Sequence, residues 1–245
     1  MRPRPEPLAS SMDPEGSSHA RGSAVDPEHF VGELEGELLR ALARLGELSR
    51  AAVQATTPVT ELLAGALRDE IETAEISALW LTDEPDLGLR LGLARQVGDE
   101  ARHFELMSDR IRALGSDPAA DPRTRAHGPL FRYLRGLQTP AERLAAGLAR
   151  EGVARMRNAL LAQICEGRGD VETARLCRED VGPDEVRHLD FCLRELPRYA
   201  LTFTDQEAAR RAFARTLQLA EEATDPARTA KASPPPPPDP GAAAR

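Results

Sequence analysis

The chain writes Asp-Glu-x-Arg-His twice, in GDEARHFELM (98–107) and in PDEVRHLDFC (183–192). It has only five histidines, so two of them share one pattern. Both copies stand inside stretches of helical periodicity, where residues three apart lie on one face. Around the first copy, Leu93, Val97, Phe104, Met107, Ile111 and Leu114 run at the spacing of a packed helix seam. Glu100 fills the gap in that series, and His103 follows on the same face. Around the second copy, Val181, Leu189, Cys192 and Leu196 define an inner face that also carries Glu185 and His188. Any fold of this chain must therefore place two carboxylates and two imidazoles in its core.

Two further helices repeat the problem without a histidine. In the 58–82 segment, Leu63, Leu67, Ala74, Ser77 and Leu81 set the seam and Glu70 fills its gap. Glu72 and Glu75 fall on mixed or charged rows. In the 139–166 segment, Leu144, Leu148, Ala154 and Leu161 flank Glu151. Glu142 belongs to a cap and Glu166 to a fraying end. Four unpaired carboxylates in a core would each cost many kcal/mol. Two divalent cations would cancel their charge, and the imidazoles would complete the shells. One Glu from each of two helices, with Glu-x-x-His from each of two others, is the pattern of dimetal carboxylate centres. Carboxylates and imidazoles without thiolate suit Fe and Mn better than a structural zinc.

The remaining punctuation is helical. Segments are expected at about 28–53, 58–82, 87–114 with a stop at Gly115, 139–166, 170–196 with a stop at Pro197, and from TDQE near Thr204 onward. Thr139, Pro140 and Glu142 form a capping box. A long connection, 115 to about 139, holds a short helix at GPLFRYLRGL. The central helices thus come as a short-linked pair, a long crossover and a second short-linked pair. Aromatics are only 4 %, so helix formers carry the fold. Residues 1–27 and 224–245, the latter with a run of prolines, are expected to be disordered tails. The net charge of −8 argues against a nucleic-acid partner. No apolar run approaches a membrane helix, so no membrane partner is expected. Cys165, Cys177 and Cys192 show no C-x-x-C spacing and are expected to be reduced thiols in a cytoplasmic protein. Cys165 and Cys192 fall on inner faces, as core fillers or as the lining of a pocket near the metals, and Trp80 is expected in the core rather than as an electron relay. Gly147 and Gly152 admit either room for a substrate or close helix packing.

From about residue 58 to 197 the chain resembles the ferritin-like di-iron carboxylate proteins. The likeness rests on the doubled motif and on the steps from Glu70 to Glu100 and from Glu151 to Glu185, each about one helix out and one back. It lies nearer the oxygen-activating branch, such as the monooxygenase hydroxylases and the ribonucleotide reductase small subunit, than storage ferritin. The resemblance implies an all-α, ferritin-like four-helix bundle with one long crossover and flanking N- and C-terminal helices, over residues 28–223. It implies two Fe ions, or Mn or a mixed Fe/Mn pair, held by Glu70, Glu100, His103, Glu151, Glu185 and His188. Glu100 and Glu185 would bridge, Glu70 and Glu151 would be terminal or shifting carboxylates, and the imidazoles would be terminal. Asp99 and Asp184 would hydrogen-bond the ligand histidines, and Arg102 and Arg187 would tie helices by ion pairs. The implied activity is O2-dependent oxidation or oxygenation of a small organic substrate, with an electron donor as partner. A ferroxidase without organic substrate is the alternative. The chain is shorter than a hydroxylase subunit. Its two tyrosines, Tyr133 and Tyr199, fall in the crossover and past the last core helix, so a tyrosyl radical is not expected. The oligomeric state stays open, a homodimer included.

Overall fold

Most helix ends of the chain carry their own stop and start signals. In a computed structural model, which describes residues 22–120 and 127–224, the helices are α1 (Pro27–Ala52), α2 (Val59–Asp83), α3 (Leu87–Ala113), α4 (Pro129–Leu134), α5 (Pro140–Gly167), α6 (Val171–Arg175), α7 (Gly182–Glu195) and α8 (Phe203–Thr224). No strand occurs among the described residues. The expected tails lie outside them, apart from residues 22–27 and 224. Val25 is held there by Gln206 of α8, which accepts from its N–H at 3.0 Å and donates to its carbonyl at 2.8 Å. Asp26 and Asp86 cap α1 and α3 by accepting from His29 and Leu89 N–H. Thr139 and Glu142 cap α5 reciprocally, as the sequence predicts. The last helix opens two residues earlier than the TDQE reading, because Thr202 rather than Thr204 exchanges hydrogen bonds with Asp205.

α3 and α5 end in the same device. Gly115 and Gly169 both take φ of +81°, and the residues after them donate back to Ile111 and Cys165 carbonyls. That is the Schellman arrangement, which a side chain at the left-handed position opposes.

α2 packs along α3, while α5 packs along α6–α7 and α8. α1 lies over α5 and α8. The two pairs meet where α2 faces α5 and α3 faces α7. The seams supply apolar layers at both ends of these four helices. One layer holds Leu63 and Leu67 (α2), Met107 and Ile111 (α3), Leu161 and Cys165 (α5), and Cys177 and Val181 before α7. The other end holds Leu89, Leu144, Leu148, Cys192 and Leu196, with Ile76, Trp80 and Leu93 beside them. Between the layers, each helix places its carboxylate. Leu114 departs from the expected seam: it is 36 % exposed, because α3 has already ended there. No described helix is long and apolar enough to cross a membrane.

The expected 170–196 helix is not uniform. Residues Leu176–Val181 form a π-helical turn between α6 and α7, in which the Gly182 N–H reaches back five residues to the Cys177 carbonyl. Cys177, Val181 and Glu185 succeed one another at steps of four. In a regular α-helix two such steps would swing the face by about 80°. The wider turn absorbs the swing and keeps Glu185 on the face that Cys177 and Val181 bury.

These backbone readings are testable in the metal-free protein. Gly65 sits in mid-α2 with open space around it, so Gly65→Ala is expected to raise the unfolding free energy by about 0.5–1 kcal/mol in urea titrations. Gly169→Ala is expected to lower it by about 1–2 kcal/mol. Equal and small effects of both would contradict the capping account.

Candidate metal centre

All six expected ligand residues are buried and come together between the apolar layers. Glu70, Glu100, His103 and Glu185 each offer one atom, and these atoms lie within 4.8 Å of one another. Glu100, Glu151 and His188 do the same. Ligands about 2.0–2.2 Å from one ion stand at most about 4.4 Å apart, so each group needs only a slight contraction to close on one. Glu100 belongs to both groups, so its two oxygens can face two positions. Glu185 falls in the first group only.

The two histidines are aimed by crossed contacts. Nδ1 of His103 lies 3.2 Å from both Glu70 and Glu100, while its Nε2 lies 3.1 Å from Asp184 Oδ2 on α7. Nε2 of His188 lies 3.1 Å from Asp99 Oδ2 on α3. Each motif's Asp thus holds the other motif's His. A carboxylate at Nε2 keeps the proton there and leaves Nδ1 for the centre. The arginines close the network. Arg102 donates to Asp184 at 2.6 Å and to the Asp180 carbonyl at 2.9 Å. Arg187 pairs with Asp184 and lies 3.5 Å from Asp99. Both arginines tie α3 to α7, as expected.

Three donors that the sequence reading did not single out fix the carboxylates. Gln96 donates to Glu151 Oε1 at 2.9 Å, and Asn158 donates to Glu185 Oε1 at 3.0 Å. Arg150 donates to Glu151 Oε1 at 3.1 Å and to the Asp69 carbonyl. Gln96 stands four residues before Glu100 and Asn158 seven after Glu151, both same-face spacings. An amide in an apolar seam is the signal that could have found them. Arg150 gave no such signal, since a charge beside Glu151 reads as solvated face. Glu72 is buried but serves elsewhere, accepting from Gly128 N–H at 2.8 Å. Trp80, Cys165 and Cys192 are buried, as expected of core residues, and Cys177 is buried with them. A Cβ on Gly152 would meet Leu38 at 2.8 Å, so this glycine serves helix packing.

The fit to cations rests on atoms left without partners. Glu151 Oε2, Glu185 Oε2 and His188 Nδ1 are buried and make no hydrogen bond. His188 Nδ1 does approach Glu100 Oε1 at 3.3 Å and Glu151 Oε2 at 3.6 Å, but neither contact is a hydrogen bond, the second being too long for one. Buried polar atoms are rarely orphaned. Three orphaned lone-pair donors that belong to the two ligand groups form a donor set suited to divalent cations.

Without cations, protons take their place. Burial pushes the Glu70 carboxyl well above the ordinary range, helped by the Glu100 charge. Burial, then the charges of Glu151, Glu70 and Glu100, push Glu185 the same way. Glu100 goes in the opposite direction: burial opposes its ionisation, but His103 and His188 beside it outweigh burial and hold it far below its usual value. Burial would lower both imidazoles, but adjoining carboxylates outweigh it, raising His103 and lifting His188 to about 11.

In comparisons with family models, curated proteins and solved structures, the chain matches none significantly.

The sign of the pH dependence follows. Groups whose folded pKa is raised add stability below their unfolded value and lose it as pH climbs toward the folded value. The metal-free protein is therefore expected to lose stability from about pH 4.5, the ordinary carboxyl value of Glu70 and Glu185, and to go on losing it from about 6.5 toward 11 as His188 gives up its proton. Divalent cations must displace those protons, so their apparent affinity is expected to rise over the same window. Calorimetric titration in buffers of different ionisation enthalpy should show at least one proton released per chain at neutral pH. Binding with no proton release would contradict these assignments.

Proposed function

We propose that the chain is a ferritin-like dimetal carboxylate protein that uses O2 to oxidise or oxygenate a small organic substrate. The observation that carries this reading is the sharing of Glu100 between two ligand groups that draw carboxylates from four helices and one imidazole each from α3 and α7. Carboxylate-rich sites with imidazole favour Fe or Mn. Glu70, Glu100, His103 and Glu185 would hold one ion, and Glu100, Glu151 and His188 the other. Divalent iron at these positions would supply the electrons for O2 reduction and a Lewis acid beside the substrate.

The chain's own residues do the rest. Asp99 and Asp184 fix the tautomers of His188 and His103. Gln96 and Arg150 occupy one oxygen of Glu151, and Asn158 one oxygen of Glu185, which leaves the other oxygen of each free toward the centre. Arg150 also balances part of the carboxylate charge. The apolar layers above and below exclude bulk water, which strengthens each of these electrostatic contacts.

The experiment is to load the protein anaerobically with Fe(II), mix it with O2, and follow iron oxidation optically with the iron content. About two irons oxidised per chain, with repeated turnover once a reductant is supplied, is the expected result. Oxidation that leads instead to iron accumulating far beyond two per chain would favour the ferroxidase alternative. No reaction with O2 would overturn both.

A further inference from the structure

An open groove lies between α4 and α8. The apolar part of its lining is Gly136 and Leu137, from the turn after α4, and Ala208 and Ala212, one turn apart on α8. Its volume is about 780 Å³, within the range of about 300–1,000 Å³ usual for small-molecule sites. The space exists because the sequence withholds side chains there: α8 presents alanines and the facing turn a glycine.

The charged part of the lining is Arg132 from α4, Arg211 and Arg215 from α8, and Glu142 from the first turn of α5. Three arginines against one acid make the groove cationic, on a chain whose net charge is −8. Glu142 is already engaged, accepting from Gln138 N–H at 3.1 Å and from Thr139 N–H at 3.0 Å. The arginines are held less firmly. Arg211 stands 3.7 Å from Glu207 and Arg215 3.4 Å from Glu222, each pair within α8 and partly open to water. Arg132 donates to the His127 carbonyl at 2.7 Å. Water-exposed ion pairs contribute little, so an incoming anion displaces them at small cost.

Tyr133 joins the two parts. It is half-buried on α4, against the apolar cluster that holds Leu134 and Leu137. Burial raises the pKa of its hydroxyl and Glu142 raises it further, while Arg215 and Arg211 pull it back, so all three charges stand near the phenol. A phenol ring and planar guanidiniums accept a flat group by stacking. The guanidinium fork also pairs with carboxylate and phosphate. An inorganic anion would leave the apolar lining wet, and a neutral apolar guest would desolvate arginines without pairing them.

We propose that this groove binds a small organic anion, with a flat apolar body against Tyr133 and the α8 alanines and a carboxylate or phosphate group against Arg211 and Arg215. None of the six candidate metal ligands lines it, so the site stands apart from the centre and does not depend on the dimetal reading.

Naphthoate and naphthyl phosphate are the probes, and naphthol and inorganic phosphate each carry one half of their chemistry. Binding is read by fluorine NMR on the full chain labelled with fluorotyrosine, with and without metal. The chain has two tyrosines, so Tyr133→Phe assigns both signals. At least one naphthyl anion is expected to shift the Tyr133 signal and leave that of Tyr199, with a Kd on the order of 1 mM or tighter. The tighter of the two anions identifies the group that the arginines take. Arg211→Gln combined with Arg215→Gln is expected to weaken binding by about tenfold or more. Ala208→Leu, which fills the groove from α8, is expected to weaken it too and serves if the double variant does not fold. No shift at Tyr133 with either anion overturns the proposal. Naphthol or inorganic phosphate binding as tightly as the naphthyl anions overturns the ligand class, and variants that bind as tightly as the unaltered protein overturn the site.

Discussion

The structure turns on one electrostatic problem: four carboxylates and two imidazoles packed between apolar layers. An unpaired ion in such a place costs several kcal/mol even after relaxation. The chain nevertheless puts Glu70, Glu100, Glu151 and Glu185 there, each at most 4 % exposed. It can do so because positive charge is always at hand. Protons on His103 and His188, and on the carboxyls of Glu70 and Glu185, neutralise the site when no cation is bound. Divalent cations would neutralise it with better coordination. The apolar layers at either end can then form undisturbed, and they fix the helices that aim the ligands.

The polar network also ties the fold together where packing is thin. α3 and α7 touch far less along their backbones than α2 and α3 do. Across that gap run the crossed Asp99–His188 and Asp184–His103 contacts, with Arg102 and Arg187 outside them. The two halves are alike in this outer ring and unlike inside it. The first ligand group has four residues and the second three. A small cavity between α2, α3, α5 and α7, about 30 Å³ in volume, has Glu151 of the second group in its lining and no residue of the first. Geometry thus distinguishes a more enclosed position from one with an approach.

Much of this was legible in the sequence, because a gap in a seam is a strong signal. Leu93 through Ile111 repeat at packing intervals, and Glu100 interrupts them at a position that must face inward. The same reasoning picked Glu70 over Glu72, although both are buried. Glu72 lies on a neighbouring row, where it serves the Gly128 N–H instead. What was not legible depends on contacts between helices. Gln96, Asn158 and Arg150 matter only because particular oxygens of Glu151 and Glu185 arrive beside them. The π-helical turn before α7 leaves no mark in composition, and it shows only as two successive steps of four from Cys177 to Glu185. The seat of the Phe191 ring on Gly92 is equally silent, since the two stand on different helices almost a hundred residues apart.

The most direct test is a metal count on Glu100→Gln. The substitution keeps the shape of the side chain and removes the charge shared by both ligand groups. The unaltered protein, purified after growth with iron and manganese, should carry about two metal ions per chain by elemental analysis. Because Glu100 serves both positions, the variant should lose both ions together while its circular dichroism stays helical. A variant that keeps both ions, or an unaltered protein that binds none under any loading condition, would contradict the account.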